Sequence, residues 1–155
     1  MTEQPGAIGS TFPAERLLAT GGEVLDLTRL DEPAVIYFYP LDGTSTCTLQ
    51  AVEFNRLAPM FREAGVTLVG VSSNDDESHR CFADDHDLSF PLVADPERKL
   101  IGELGIGKEF GDDGILSRRV TYLIDRDRTI RQVWEPKEMA SHAAETLDAA
   151  RHLDD

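Results

Sequence analysis

Residues 34–39, Ala-Val-Ile-Tyr-Phe-Tyr, form an unbroken apolar run rich in β-branched and aromatic side chains. Such a run predicts a strand buried on both faces, as in the middle of an α/β sheet. Pro40 stops it, and residues 41–46 form a polar turn with Gly43 inside. From Thr46 the pattern changes to helical spacing. Leu49, Val52, Leu57 and Phe61, with Phe54 and Ala58 beside them, predict one apolar helix face that ends at Gly65. Pro59 falls inside that span and predicts a kink or a break. Ahead of the first strand, Gly21-Gly22 separates residues 13–20 from the alternating segment 23–27, which predicts a short hairpin.

Residues 66–72, Val-Thr-Leu-Val-Gly-Val-Ser, predict a second buried strand. A short helix is expected over 76–86, with Asn74 or Asp75 as its N-cap. Phe90-Pro91-Leu92-Val93 reads as a weak edge strand. Residues 96–104 read as a helix with Pro96 in its first position, where the missing N–H costs nothing. Gly111-Asp112-Asp113-Gly114 predicts a turn, and residues 120–124 a third buried strand. Residues 125–128 then turn the chain into 129–134 as an antiparallel hairpin. Met139, Ala143, Leu147 and Ala150 place a helix within 137–153. This order implies a mixed sheet with helices on both faces, a layered α/β domain. A length of 155 residues suits one such domain, spanning 1–155.

Charge narrows the partners. The formal net charge of -14 would repel nucleic-acid phosphates and anionic membrane surfaces, so neither is expected as a partner. No apolar run approaches the roughly 18 residues of a membrane span. Met1-Thr2-Glu3-Gln4 carries no basic region with an apolar stretch behind it, so no signal peptide is expected and the location is read as cytoplasmic. The two cysteines, Cys47 and Cys81, form no C-x-x-C, and the four histidines no H-x-x-x-H, so no zinc site is expected. In a cytoplasmic protein a bridge between those cysteines would be transient and catalytic rather than structural. Gly102-x-x-Gly105-x-Gly107 lacks the preceding strand that a dinucleotide site needs, so no cofactor is implied. His79, His86, His142 and His152 sit among polar residues and read as surface groups, and Trp134 as hairpin packing.

Cys47 lies at or just inside the predicted N-terminus of the first long helix. Free backbone N–H groups and the positive end of the helix dipole favour thiolate there, which makes Cys47 a candidate nucleophile. The alternative is a buried cysteine acting as a small hydrophobe. The turn reads Pro40-Leu41-Asp42-Gly43-Thr44-Ser45-Thr46-Cys47, a P-x-x-x-T-x-x-C pattern directly after an apolar strand. This pattern resembles the active-site signature of the peroxiredoxins. Tyr37-Phe38-Tyr39-Pro40 and Cys47-Thr48-Leu49-Gln50-Ala51 are similar to the branch of the bacterioferritin comigratory protein, PrxQ. Arg119-Val120-Thr121-Tyr122-Leu123-Ile124-Asp125 resembles the family's strand carrying an active-site arginine. The resemblance runs from about Ile8 to the end of the last helix.

The resemblance implies a thioredoxin-like fold: a central mixed sheet flanked by helices, with an N-terminal β-hairpin. It implies a thiol peroxidase that reduces hydrogen peroxide and organic hydroperoxides. Cys47 would be the peroxidatic cysteine and pass through a sulfenic acid. Thr44 would present a hydroxyl able both to donate and to accept, and Pro40 would shield the sulfur from water. Arg119 would hold a positive charge beside sulfur and peroxide, with Arg118 its rival for that role. Thr44 also reads as a helix cap, compatible with the first role. One common layout of the family puts the resolving cysteine five residues on, at Val52 here; Cys81, in the next helix, falls where other members of the branch carry it. Cys81 is therefore implied to be the resolving cysteine, against a plain buried thiol in a one-cysteine enzyme. Bridging two helices in this way needs local unwinding, since disulfides require Cα atoms within about 7 Å. Thioredoxin or a similar thiol donor would reduce the bridge, and the protein would be a monomer or weak homodimer. Many relatives have proline-glycine where this chain has Ser45-Thr46, a change expected to alter the stiffness of the turn. Two rivals stand beside this reading. A thioredoxin-type oxidoreductase would need a second cysteine where Thr44 stands. A redox sensor would use the same Cys47 chemistry and turn over poorly.

Overall fold

The computed structural model describes residues 7–153, so the segment 1–4, read above as carrying no targeting signal, lies outside the described residues. Gly21 and Gly22 take positive φ, +79° and +76°, and reverse the chain between β1 (Arg16–Leu18) and β2 (Val24–Asp26), the expected hairpin. β3 (Ala34–Phe38) is buried at every position. After it comes α1 (Ser45–Glu63), which buries Cys47, Gln50, Ala51, Phe54, Leu57, Ala58 and Phe61. These recur at three- and four-residue intervals and make one continuous stripe.

That stripe corrects the face expected from sequence. Leu49 and Val52 are 47% and 41% exposed, while polar Gln50 is buried. The helix is turned so that Cys47 and Gln50 face inward. Pro59 does not break it: α1 runs on to Glu63. Proline's fixed φ is helical, and so close to the end it removes only the bond to the Asn55 carbonyl.

β4 (Thr67–Ser72) and α2 (Asp76–Asp85) follow, the latter capped by Asp75, whose side chain accepts from the Ser78 N–H. β5 (Leu92–Ala94) leads to α3 (Lys99–Leu104). Pro96 is not in the first helical position. Arg98 has a left-handed φ of +59°, which breaks the helix before Lys99. The Asp95 carboxylate instead accepts from the N–H groups of Lys99, Leu100 and Ile101 at 3.0, 3.3 and 2.9 Å. An antiparallel pair not foreseen from sequence, β6 (Gly107–Glu109) with β7 (Ile115–Ser117), brackets the 111–114 turn. β8 (Val120–Ile124), β9 (Ile130–Trp134) and α4 (Met139–Arg151) complete the order.

The five-stranded sheet runs β5-β4-β3-β8-β9. β3, β4 and β5 are parallel, whereas β8 is antiparallel to β3 and β9 to β8. The pleat of β3 divides the core. Val35, Tyr37 and Tyr39 pack with α1 and α4 on one face. Ala34, Ile36 and Phe38 pack with α3, Phe12 and Leu27 on the other. Two of the four histidines depart from their expected surface positions: His79 and His142 are buried. Each falls on the inward stripe of its helix, His79 three residues before Phe82 and His142 beside Ala143.

Candidate active site

The site forms where β3 ends and α1 begins. Gly43 takes φ +86°, a conformation that L side chains rarely adopt, and the chain turns there from strand to helix. Thr44 is the N-cap of α1, in extended conformation. Its Oγ1 accepts from the Cys47 N–H at 3.3 Å, and its carbonyl accepts from the Thr48 N–H at 2.8 Å. Because Oγ1 accepts there, the Thr44 hydroxyl proton remains available to donate. Cys47 thus sits in the first turn of the helix, where N–H groups are not consumed by intrahelical bonds. Its side chain points inward and the residue is only 1% exposed. Pro40 is half-buried at the start of the same turn.

Arg119 reaches this point from the other end of the sequence. β8 pairs antiparallel with β3, Val120 opposite Phe38, so the residue preceding β8 meets the exit of β3. Arg119 Nη2 donates to Cys47 Sγ at 3.3 Å. Its Nη1 donates to Gln50 Oε1 at 2.6 Å. Gln50 lies one turn after Cys47 on the buried stripe, so the two ends of the guanidinium are held by one face of α1. Arg118 points away and pairs with Glu135 on the surface. Of the two arginines only Arg119 touches the sulfur.

Several buried groups back the site. Tyr37 stacks on Phe54 with ring centroids 4.5 Å apart. Burial, and secondarily the nearby Cys47, pushes its phenol well above the ordinary value. His142 shares a 2.8 Å hydrogen bond with Thr121 and packs edge-on against Phe54 and Trp134. Burial, and then the Arg119 charge, pushes His142 down to about 4. Cys81 is exposed on α2 and is not brought to Cys47; both cysteines are free thiols. Gln50 was missed by sequence reasoning. Its only signal is its place three residues after Cys47, which puts it on the same helix face. Among the described residues no group of three or more His, Cys, Asp or Glu side chains is placed to hold a metal ion.

A capped cysteine against a guanidinium, at the end of the central strand of such a sheet, is a peroxiredoxin arrangement, and residues 8–133 match the AhpC/TSA family. The chain belongs to that family, the peroxiredoxins, which are thiol peroxidases. Within it the similarity is to the Q/Bcp branch. The chain is 35% identical over 145 residues to peroxiredoxin Bcp of Xanthomonas campestris, covering 92% of this chain and 91% of that protein. It is 34% identical over 147 residues to the chloroplastic peroxiredoxin Q of Sedum lineare, covering 94% of this chain and 78% of that one. A solved structure of the Xanthomonas campestris bacterioferritin comigratory protein, described for its alkyl peroxide reduction activity, superposes with a TM-score of 0.81. It has 33% identity and covers 96% of this chain and 95% of that one. The thioredoxin-like fold expected from sequence is therefore the fold observed.

Proposed function

We propose that this chain reduces hydrogen peroxide and organic hydroperoxides through Cys47, with Cys81 as the resolving cysteine and thioredoxin or a similar thiol as reductant. The observation that carries this reading is the 3.3 Å contact between Arg119 and Cys47 Sγ at a capped helix N-terminus. In the first step the Cys47 thiolate attacks the terminal oxygen of R–O–OH. The S–O bond forms as the O–O bond breaks. Sulfur gives two electrons, RO⁻ takes a proton and leaves as alcohol or water, and Cys47 becomes a sulfenic acid.

Each neighbour has a task in that step. Arg119 supports the charge on sulfur and on the departing oxygen, from a position fixed in advance by Gln50. The Thr44 hydroxyl can accept from the peroxide O–H or donate to its oxygen, as a carboxylate or an alkyl group cannot. Pro40 walls the sulfur from bulk water and brings no competing N–H donor. The alkyl peroxide reduction described for the Xanthomonas relative supports organic hydroperoxides as substrates.

In the second step the Cys81 thiolate attacks the Cys47 sulfenic sulfur. The disulfide forms, the S–O bond breaks, and hydroxide leaves as water on taking a proton. A reductant dithiol then restores both thiols by exchange. Because Cys47 is buried and Cys81 exposed, this step requires local rearrangement of α1, α2 or both. We read the protein as cytoplasmic and as a monomer or weak homodimer. No helix among the described residues is long and apolar enough to cross a membrane.

Intact mass after one equivalent of peroxide tests the reading. Loss of two hydrogens in a monomer is expected, and a dimer-linked species or a persistent sulfenic acid contradicts it. Cys47→Ser is expected to abolish peroxide consumption. Cys81→Ser is expected to form the sulfenic acid and to fail to recycle with thioredoxin.

A further inference from the structure

The helix that carries Cys81 is held to the rest of the protein by few groups. Only His79 and Phe82 of the ten residues in α2 are buried. A helix this short has little stability of its own, so its attachments decide whether it stays formed. Phe82 packs beside Tyr39, with ring centroids 6.4 Å apart. His79 supplies the polar part of the attachment, and its side chain is completely buried. Nδ1 lies 2.7 Å from Asp42 Oδ2 and Nε2 lies 3.0 Å from the Val93 carbonyl oxygen. The ring thus lies between a carboxylate and a backbone carbonyl, one at each nitrogen, and bridges the active-site turn to β5.

Asp42 belongs to the turn that leads from β3 to Cys47. Its side chain is 6% exposed. It also accepts from the Tyr39 hydroxyl at 2.6 Å and the Ser78 hydroxyl at 2.8 Å, and its N–H donates to Asn74 Oδ1 at 2.9 Å. Burial alone would raise this carboxyl, but the hydrogen bonds from His79, Tyr39 and Ser78 outweigh it and hold the group below the usual value. An ionised acceptor makes these bonds stronger than neutral ones. None of the network's hydrogen bonds involves Cys47 or Arg119. Their effect is to tie the turn bearing one cysteine to the helix bearing the other.

We propose that the His79–Asp42 pair is a latch between the active-site turn and α2. Closed, it keeps turn and helix in register while peroxide is attacked. Open, it frees α2 to carry Cys81 toward the buried Cys47. His79 and Asp42 are thus positioning residues that set the rate of resolution rather than of peroxide attack; this rests on the reading of Cys81 as the resolving cysteine. A closed latch also lengthens the life of the sulfenic acid. A second peroxide can then oxidise it to the sulfinic acid, its O–O bond breaking as another S–O bond forms and alcohol or water leaves.

The test is rapid-quench mass spectrometry of the whole protein after one equivalent of hydrogen peroxide, in the parent and in His79→Gln. In the variant the sulfenic acid is expected to form within a factor of about two of the parent rate. Its conversion to the Cys47–Cys81 bridge is expected to quicken on the order of tenfold, the effect of removing one charge-assisted hydrogen bond from the closed state. Sulfinic acid at excess peroxide should fall, and amide exchange should rise within α2 while the central strands keep their protection. Asp42→Asn, which keeps the side-chain shape, carries the same measurement should His79→Gln fail to fold. A bridge that forms at the parent rate or more slowly in the folded variant overturns the latch. Absence of the bridge in the parent overturns the assignment of Cys81 and the latch with it, so the two failures are told apart.

Discussion

Arg119 and Cys47 meet at 3.3 Å across 72 residues of chain. The meeting is a product of sheet topology: an antiparallel β8 brings its first residues to the last residues of β3. The same guanidinium is pinned to Gln50, so it reaches the sulfur in one orientation. In the proposed mechanism such a preorganised charge would contribute to rate, because it would need no rearrangement when the O–O bond breaks.

Replacing Arg119 by methionine is expected to slow sulfenic acid formation by about 10²-fold or more. Arg119→Lys should recover only part of the loss, because a single ammonium cannot face Sγ and Gln50 Oε1 together. Stopped-flow peroxide reduction at fixed pH checks both. Equal rates in the parent and Arg119→Met would remove the arginine from the mechanism.

Gln50→Leu keeps an inward-facing side chain of similar size and removes the acceptor for Arg119 Nη1. The expected outcome is a fold of near-parent stability and a peroxide-attack rate lower by about tenfold, the size of one lost charge-assisted hydrogen bond. Thermal unfolding and stopped-flow measurements on the same sample separate the two effects.

Gly70 lies opposite Tyr37 in the β3–β4 pair. A Cβ there would stand 2.8 Å from Tyr37 Cζ and 2.9 Å from Leu92 Cδ2. Tyr37 is stacked on Phe54 and cannot swing away. Gly70→Ala is therefore expected to destabilise the fold by about 1–3 kcal/mol, read from urea unfolding midpoints.

His142 is held down to about 4 in the folded state, against an unfolded value of about 6.5. Between these values the unfolded chain binds the extra proton and the folded one does not. The contribution of His142 is thus complete above pH 6.5, declines as pH falls, and is exhausted below pH 4. From pH 7 to pH 5 it should remove about 2 kcal/mol of stability. Urea unfolding of the parent and His142→Gln at the two pH values isolates this from the many carboxylates. The parent should lose more on acidification, and an equal loss in both proteins would contradict the assignment.

Much of the layout was legible in the sequence. Residues 34–39 and 120–124 announced buried strands through unbroken apolar runs, and both lie in the middle of the sheet. The Pro40–Thr44–Cys47 spacing located the turn, and the arginine beside the third strand proved to be the one on the sulfur. What stayed hidden depended on tertiary context. Leu49 and Val52 are apolar yet outward, because α1 turns Cys47 and Gln50 toward Arg119. His79 and His142 look polar in a list of residues, yet each finds its hydrogen-bond partners inside the fold. Pro96 carried a helix-start signal, but the left-handed Arg98 intervenes and Asp95 caps the helix instead. Three-residue strands such as β6 and β7 are too short to show a period.

The nucleophile itself can be tested most directly by trapping. Cys81→Ser protein treated with one equivalent of hydrogen peroxide in the presence of dimedone is expected to gain a single adduct. Peptide mapping should place it on Cys47, and the Cys47→Ser protein should gain none. Peroxide consumed without an adduct on Cys47, or an adduct on another side chain, would contradict the account.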